Sequence, residues 1–538
     1  VKILFLSYGG HDCNSLPHIA GFARELCGLE EVEKVAIAVP GQRLEEAEAQ
    51  QILADQRLEA AFSTGRLVLR SHGEALAEIA GGSAYDILHL WTPREVNRRW
   101  LQAAALSWPD ATQPWPAVLI HLEDNEEAIC ERAFGGVEGW ENAADTFEPR
   151  QFAPYSHPRH YRGLLQLAEG ATVIWESLAE YVPSTTPAME LLPGVDLLRF
   201  SPRPPDEQLA EILKVNPLSW RELATLTPGA GLPAHLAGRE LVVCYNGNTT
   251  FANLADMTEL YMALHLLWEE GWPIRLLRTG RDQVQLRESL PFDPSPWLTE
   301  LGFIAREDLP ALFSLAHLFI QPGGPDAFND FRLPSKLPEY LASGGICLLP
   351  ASNIGLRLRD GAEALVLQRG DAGEMVARVR AFLQEPDQFE LMGQRARRFA
   401  QEQFDPRRQA TYLRGFYQQC LAGIRKSAGK RAGEVATPGL ALLAGVGRES
   451  ATPFQEPARD LATHHAAITL LAARLREVQE AELAPLQQEF RALKKELKKT
   501  SKTAAAQEEK LGEITGSKAW RTLGKTLFKL ERKGKNPG

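Results

Sequence analysis

Arg332, Ser335, Lys336 and Glu339 fall within one short stretch ahead of the apolar run Ile346–Leu349. A helix is expected there from about Ser335 to Ser343, and a spacing of three puts Lys336 and Glu339 on one face. A helix N-terminus with cations beside it can offset a diphosphate, and a carboxylate can accept two hydrogen bonds from a vicinal diol. The bland alternative is an ion pair on a solvated face, worth ~0.5 kcal/mol or less. His121 closes the run Ala117–Ile120, where an imidazole can hydrogen-bond a sugar hydroxyl, although a structural histidine fits as well. Gly9 and Gly10 follow the opening run Val1–Ser7, and adjacent glycines let backbone N–H groups approach a phosphate or sugar; a tight turn explains them equally.

These residues must be held by strands and helices, and the sequence alternates the two. Short apolar runs at Val1–Ser7, Val35–Val39, Leu67–Leu69, Ile87–Leu90, Ala117–His121 and Thr172–Trp175 are separated by helix-like stretches, which is the pattern of buried parallel strands with crossover helices. A second series runs through Glu240–Tyr245, Ile274–Leu277, Leu318–Ile320, Ile346–Leu349 and Ala364–Leu367. In such sheets ligands bind beyond the carboxyl ends of the strands, where the candidate residues fall.

The expected layout is therefore a Rossmann-like domain over 1–194, a linker or insert over 195–238, a second Rossmann-like domain over 239–403 and a closing helix over 404–427. An Ala-, Gly-, Thr- and Pro-rich linker over 428–457 precedes a helical arm over 458–538. Leu461, Ile468 and Leu475 keep heptad spacing, which resumes after Pro485 through Phe490, Leu497, Ala504 and Leu511; this implies a coiled coil or helical hairpin over 458–514 able to self-associate or bind a partner protein. Trp520, Leu523, Leu527 and Leu530 share a face flanked by Lys518, Arg521, Lys525 and Lys529, so 517–533 is a candidate for peripheral membrane contact.

Several motifs in order carry a family resemblance. Leu191-Leu-Pro-Gly-Val-Asp196 with Arg199-Phe200-Ser-Pro, and Lys336-Leu-Pro-Glu-Tyr-Leu-Ala-Ser-Gly-Gly345, are similar to segments of the retaining glycosyltransferases of family 4, which have the GT-B fold. Tyr85-Asp-Ile-Leu-His-Leu90 and Leu301-Gly-Phe-Ile304 with Asp308-Leu-Pro-Ala-Leu-Phe-Ser-Leu-Ala316 extend the likeness, which covers roughly 1–425. The resemblance implies two α/β domains facing across a cleft and transfer from a nucleotide diphosphate sugar with retention of configuration. It assigns Glu339 to the donor ribose and His121 to the transferred sugar, with Lys336 completing the catalytic candidates. Gly9, Gly10, Gly247, Asn248, Arg281, Arg332, Ser335, Lys336 and Glu339 are the donor-binding candidates.

Two departures stand out. The loop Asn246-Gly-Asn-Thr-Thr-Phe-Ala252 has no cation where the family supplies one, leaving Arg332 and Arg281 as replacements. Phe331 stands where the first glutamate of an E-x7-E pair is expected, with Asp326 and Asp330 nearby.

Composition narrows the setting. The chain has 538 residues and a net charge of −10, but residues 494–538 alone carry +8. Six dispersed cysteines without a CxxC pair argue against a disulfide framework, a zinc site or a redox motif, and suit a reducing cytoplasm. Val1–Leu6 is too short for a secretory h-region and no run of ~18 apolar residues follows, so a membrane span is not expected. Expected partners are a nucleotide-sugar donor and a glycan, lipid-linked or protein acceptor, in the cytoplasm or peripheral at an inner membrane; neither cofactor, metal ion nor nucleic acid is expected. The competing classes are a catalytically silent glycosyltransferase-like subunit recruiting a partner through its coiled coil, and a nucleotide-sugar epimerase of the same two-domain shape.

Overall fold

The computed structural model describes residues 1–430 apart from 11–12, 83–84, 109–114, 134–157, 224, 227–233, 251, 327 and 385–387. The chain divides after Gly447 into two units, and everything described lies in the first. The heptad segment 458–514 and the basic face 517–533 fall outside the described residues.

Two all-parallel sheets organise the described residues. The first holds β1 (Lys2–Ser7), β2 (Lys34–Val39), β3 (Leu67–Ser71), β4 (Ile87–Trp91), β5 (Ala117–Leu122), β6 (Gly170–Val173) and β7 (Ala188–Glu190), in the order β3-β2-β1-β4-β5-β6-β7. The second holds β8 (Leu241–Asn246), β9 (Ile274–Thr279), β10 (Leu298–Gly302), β11 (Leu318–Ile320), β12 (Ile346–Pro350) and β13 (Leu365–Leu367), in the order β10-β9-β8-β11-β12-β13. The Val-, Ile- and Leu-rich central strands are buried on both faces because helices cover both sides. In each sheet the winding reverses beside the first strand, between β1 and β4 and between β8 and β11. Such switch points leave a crevice at the strands' carboxyl ends.

Differences from the apolar-run reading concentrate at the edges. β7 and β10 are edge strands with partly solvated side chains, so neither shows as a clear apolar run. β5 continues to Leu122, one residue beyond the expected end.

The last described helix, Pro406–Lys430, belongs in space to the first sheet. Tyr417 Oη lies 2.8 Å from His89 Nδ1, and a Cβ at Gly170 would sit 2.7 Å from Cys420 Sγ, so only glycine allows this approach. The two crossings of the chain are tied together: Val195 N–H donates to the Phe404 carbonyl at 3.0 Å. The Arg397 guanidinium, nearby, donates to the carbonyls of Leu197, Phe200 and Ala342. Across the domains Arg357 pairs with Glu190 and Glu176 and covers the Trp175 ring at 4.1 Å. Among the described residues no helix is long and apolar enough to cross a membrane.

His317 locks the second sheet to the segment that leads into it. Its Nδ1 accepts from the Val242 amide at 2.9 Å, so the proton sits on Nε2 and is donated to the Leu218 carbonyl at 2.6 Å. Burial pulls this imidazole down to about 4 despite those bonds. A depressed histidine contributes stability that is whole above the unfolded value near 6.5 and is lost as pH falls toward the folded one. We expect His317→Gln to be less stable at pH 7 yet to lose stability less steeply between pH 6.5 and 4, by up to about 1.4 kcal/mol per pH unit, in urea unfolding.

Candidate functional site

A cavity of ≈ 560 Å³ lies between the two domains at the carboxyl ends of both sheets. The second domain supplies one wall. Gly247 and Asn248 lie just past β8, and Arg332, Ser335, Lys336 and Glu339 come from the start of the helix Lys336–Ala342 and the turn before it. The structure thus brings six of the sequence candidates together.

Lys336 Nζ lies over the Tyr245 ring, 4.0 Å from its centroid, and among the described residues it has no ion pair with a carboxylate. A Cβ on Gly247 would approach this ammonium to 2.8 Å. Burial, reinforced by the charge of Arg332, pulls Lys336 down to about 7. Arg332 stacks on Phe328 at 3.9 Å and donates to Asn329 Oδ1 at 2.8 Å. Glu339 is buried and receives Arg306 Nη2 on Oε1 at 2.6 Å; burial raises its carboxyl, with Arg306 opposing.

The loop without a cation is held rigidly. Tyr340 Oη accepts from the Asn246 amide at 2.7 Å, Thr250 N–H donates to Asn253 Oδ1 at 2.7 Å, and Asn248 Oδ1 accepts from the Arg281 amide at 2.8 Å. Gly280, at φ +86°, packs against the Gly247 carbonyl, where a side chain would meet backbone at 2.3 Å. Arg278 behind it is spent on Asp282, Glu300, Thr249 and Tyr261. The Arg281 side chain is exposed and does not line the cavity, so of the two replacement cations only Arg332 stands in the wall.

The first domain supplies the other wall, through Asn14, His18, Glu123, Asp124, Ile129 and Ile174. His121 is absent from it. Its imidazole is buried, with Nδ1 2.8 Å from Thr172 Oγ1 and its ring 4.0 Å from that of Trp91. Burial, against the pull of Glu123, takes it down to about 3. His121 thus stands behind the lining; the strand runs on to Leu122, and the side chain that reaches the cavity is Glu123, two residues further along the same side. Trp91 Nε1 donates to Glu123 Oε1 at 2.7 Å, so the buried rings brace that carboxylate. Gly9 and Gly10 also lie outside the lining; Ser7 Oγ donates to the Gly9 carbonyl at 2.8 Å and Cys13 N–H to that of Gly10 at 3.1 Å, which makes them a turn.

Phe331 faces Tyr181 of the first domain with ring centroids 5.5 Å apart, and Ser177 Oγ donates to the Asp330 carbonyl at 2.6 Å. Asp326 Oδ1 accepts from the amides of Phe328 and Asn329, and neither aspartate lines the cavity. This turn serves the domain contact. His18, Glu123, Asp124 and Arg306 were not singled out by sequence; the signal for Glu123 was the two-residue strand period carried past His121.

Residues 274–415 match the family model described as glycosyl transferase-like. No curated protein matches the sequence. Among solved structures, Alr3699/HepE of Anabaena in complex with UDP is 12% identical, covers 78% of this chain and 100% of its own, and superposes with a TM-score of 0.50. The complex of the same protein with UDP and glucose gives the same score and identity over 78% and 99%. A glycosyltransferase from Rickettsia africae ESF-5, also 12% identical with a TM-score of 0.50, covers 78% of this chain and 98% of its own. At such identity the likeness concerns the fold, and the fold is GT-B.

Lys336 offers a direct check on the cationic wall. We expect it to titrate near 7 when followed by ¹³C NMR after labelling, well below the ordinary lysine value, and Arg332→Gln to move that titration upward by removing a neighbouring positive charge.

Proposed function

We propose that this chain is a glycosyltransferase that takes a sugar from a nucleoside diphosphate sugar and passes it to a glycan, lipid-linked or protein acceptor. The observation that carries the reading is the Lys336 ammonium, stacked on Tyr245 in the wall of an interdomain cavity with no ion pair to a carboxylate among the described residues. A buried cation without a counter-ion is costly and gains from an anionic ligand.

Lys336 and Arg332 would offset the diphosphate as it leaves with the electron pair of the sugar–phosphate bond. Their charge makes a metal ion unnecessary in this reading. Glu339, with Oε1 held by Arg306, would present its other oxygen to the ribose, and Gly247 and Asn248 would bring backbone close to the phosphates. The UDP and glucose bound by the Anabaena protein favour a uridine donor as the first to try. Retention of configuration is what the sequence resemblance implies. A role in bacterial surface polysaccharide synthesis at the cytoplasmic side of an inner membrane, with the C-terminal arm as a docking element, extends the same reading.

A second reading, a subunit that binds donor without turning it over, is favoured by the cation-free loop 246–252. Product formation from a panel of donors, followed by mass spectrometry, separates the two: donor binding with no transfer to any acceptor would leave the silent subunit.

The division of labour within the wall gives a quantitative expectation. Glu339→Ala weakens uridine, UMP and UDP alike, whereas Lys336→Ala weakens UDP and spares uridine, each by ~1–3 kcal/mol for a lost charge-assisted hydrogen bond. Calorimetry with the three ligands tests it, and unchanged affinities would assign the motif to structure.

A further inference from the structure

Residues 196–203, where the chain leaves the first domain, gather guanidinium groups that the cavity does not use. Arg57, at the end of the helix Glu46–Gln56, is half exposed and pairs with Asp196 Oδ2 at 2.8 Å. The other oxygen, Asp196 Oδ1, accepts the backbone amides of Leu198 and Arg199 at 3.2 and 3.0 Å, so the turn that carries Arg199 is tied to the residue that holds Arg57. From the second domain Arg306 approaches the same turn: its guanidinium carbon lies 6.0 Å from the centroid of the Phe200 ring. None of these three arginines lines the cavity.

Their charges are not all matched. Asp196 answers Arg57 and Glu339 answers Arg306, whereas among the described residues the Arg199 side chain has neither an ion pair nor a hydrogen bond. Burial, then the charges of Arg57 and Arg306, depress the Arg199 guanidinium, with Asp196 and the exposed Glu307 opposing. Arg24 adds a further positive charge near Asp196. Like charges held together repel, a bound anion relieves that repulsion, and a guanidinium offers paired N–H donors to phosphate oxygens.

Arg306 belongs to two places at once. Its Nη2 holds Glu339 Oε1 at 2.6 Å, and Glu339 does line the cavity. Burial raises this carboxyl, while the charges of Arg306 and Arg199 work to keep it ionised. A negative group seated against those two arginines therefore reaches Glu339 without entering the cavity.

We propose that Arg57, Arg199 and Arg306 form an anion site at the crossing between the domains, that its ligand is a small soluble phosphate, and that its occupation acts on the cavity through Arg306 and Glu339. A tetrahedral phosphate presents oxygens to guanidiniums from three separate segments, which a planar carboxylate does less well. The effect is inhibitory: bound phosphate cancels positive charge beside Glu339, which then takes up a proton more readily and accepts ribose hydroxyls less well. This effect, though not the site, rests on the reading of Glu339 as the ribose-binding group.

The test is calorimetry on the full chain with inorganic phosphate and with glycerol 3-phosphate, repeated on Arg199→Gln, Arg57→Gln and Lys336→Ala. At least one of the two ligands binds the unaltered chain and Lys336→Ala alike, which separates the site from the cationic wall of the cavity. Arg199→Gln and Arg57→Gln each weaken it about tenfold, the scale of one charge-assisted hydrogen bond. Saturating phosphate weakens uridine about fivefold in the unaltered chain and in Lys336→Ala but not in Arg199→Gln, and uridine weakens phosphate by the same factor. Cooperative urea unfolding of each variant shows that it is folded. Absence of phosphate binding, binding that Lys336→Ala abolishes or that both arginine variants retain, or a uridine affinity indifferent to bound phosphate overturns the proposal. If the unaltered chain binds no nucleoside, the ribose reading of Glu339 falls instead, and the three-arginine site is decided by phosphate binding alone.

Discussion

An ammonium group held in a cleft, with no ion-pair partner among the described residues, is the constraint around which this structure is arranged. Taking such a charge out of water costs several kcal/mol unless something else is supplied. The ring of Tyr245 offers part of it through its negative face, an interaction of about 0.5–2 kcal/mol. The rest shows as a depressed lysine and as rigidity nearby. Tyr340 fixes Asn246, Gly280 admits the Gly247 peptide, and Arg278 anchors the loop from behind, so the backbone cannot relax toward the ammonium and neutralise it.

The topology itself sets the two walls face to face. Each sheet reverses its winding beside its first strand, so each domain offers the loops of its own switch point to the same cleft. The carboxylates after β5 face the cations at the start of Lys336–Ala342 across the cavity. A buried set of polar groups keeps the first wall in register: Tyr417, His89, Thr172 and His121 follow one another across neighbouring strands at hydrogen-bond distance or in ring contact, and Trp91 carries the support forward to Glu123. His121 thus braces Trp91, which in turn holds the lining carboxylate of Glu123.

The fold was legible because buried parallel strands are nearly continuous apolar runs, and eleven of them could be read directly; β7 and β10, half solvated at sheet edges, could not. On the second domain the cavity wall was legible too, since Arg332, Ser335, Lys336 and Glu339 are close in sequence and a short helix with the turn before it presents them together. The first-domain wall is assembled from positions more than a hundred residues apart, and nothing local in Ser15–Leu26 marks His18 as the partner of Glu123. A strand one residue longer than its apolar run puts Glu123, and not His121, in the cavity lining. Phe331 read as a lost carboxylate, yet it earns its place as an aromatic contact with Tyr181 across the domains.

The helix Pro406–Lys430 is last among the described elements and yet completes the first sheet, with Phe416 and Cys420 filling the space over Gly170 and Tyr417 reaching His89. During synthesis, residues 1–194 leave the ribosome with this face uncovered and with His89 lacking its phenol partner. They stay incomplete until more than two hundred further residues have been added. Sequence order and assembly order therefore diverge: the second domain can close on local contacts while the first waits for a helix that follows the second domain. Splitting the gene between the domains would yield a second half that carries a helix belonging to the first.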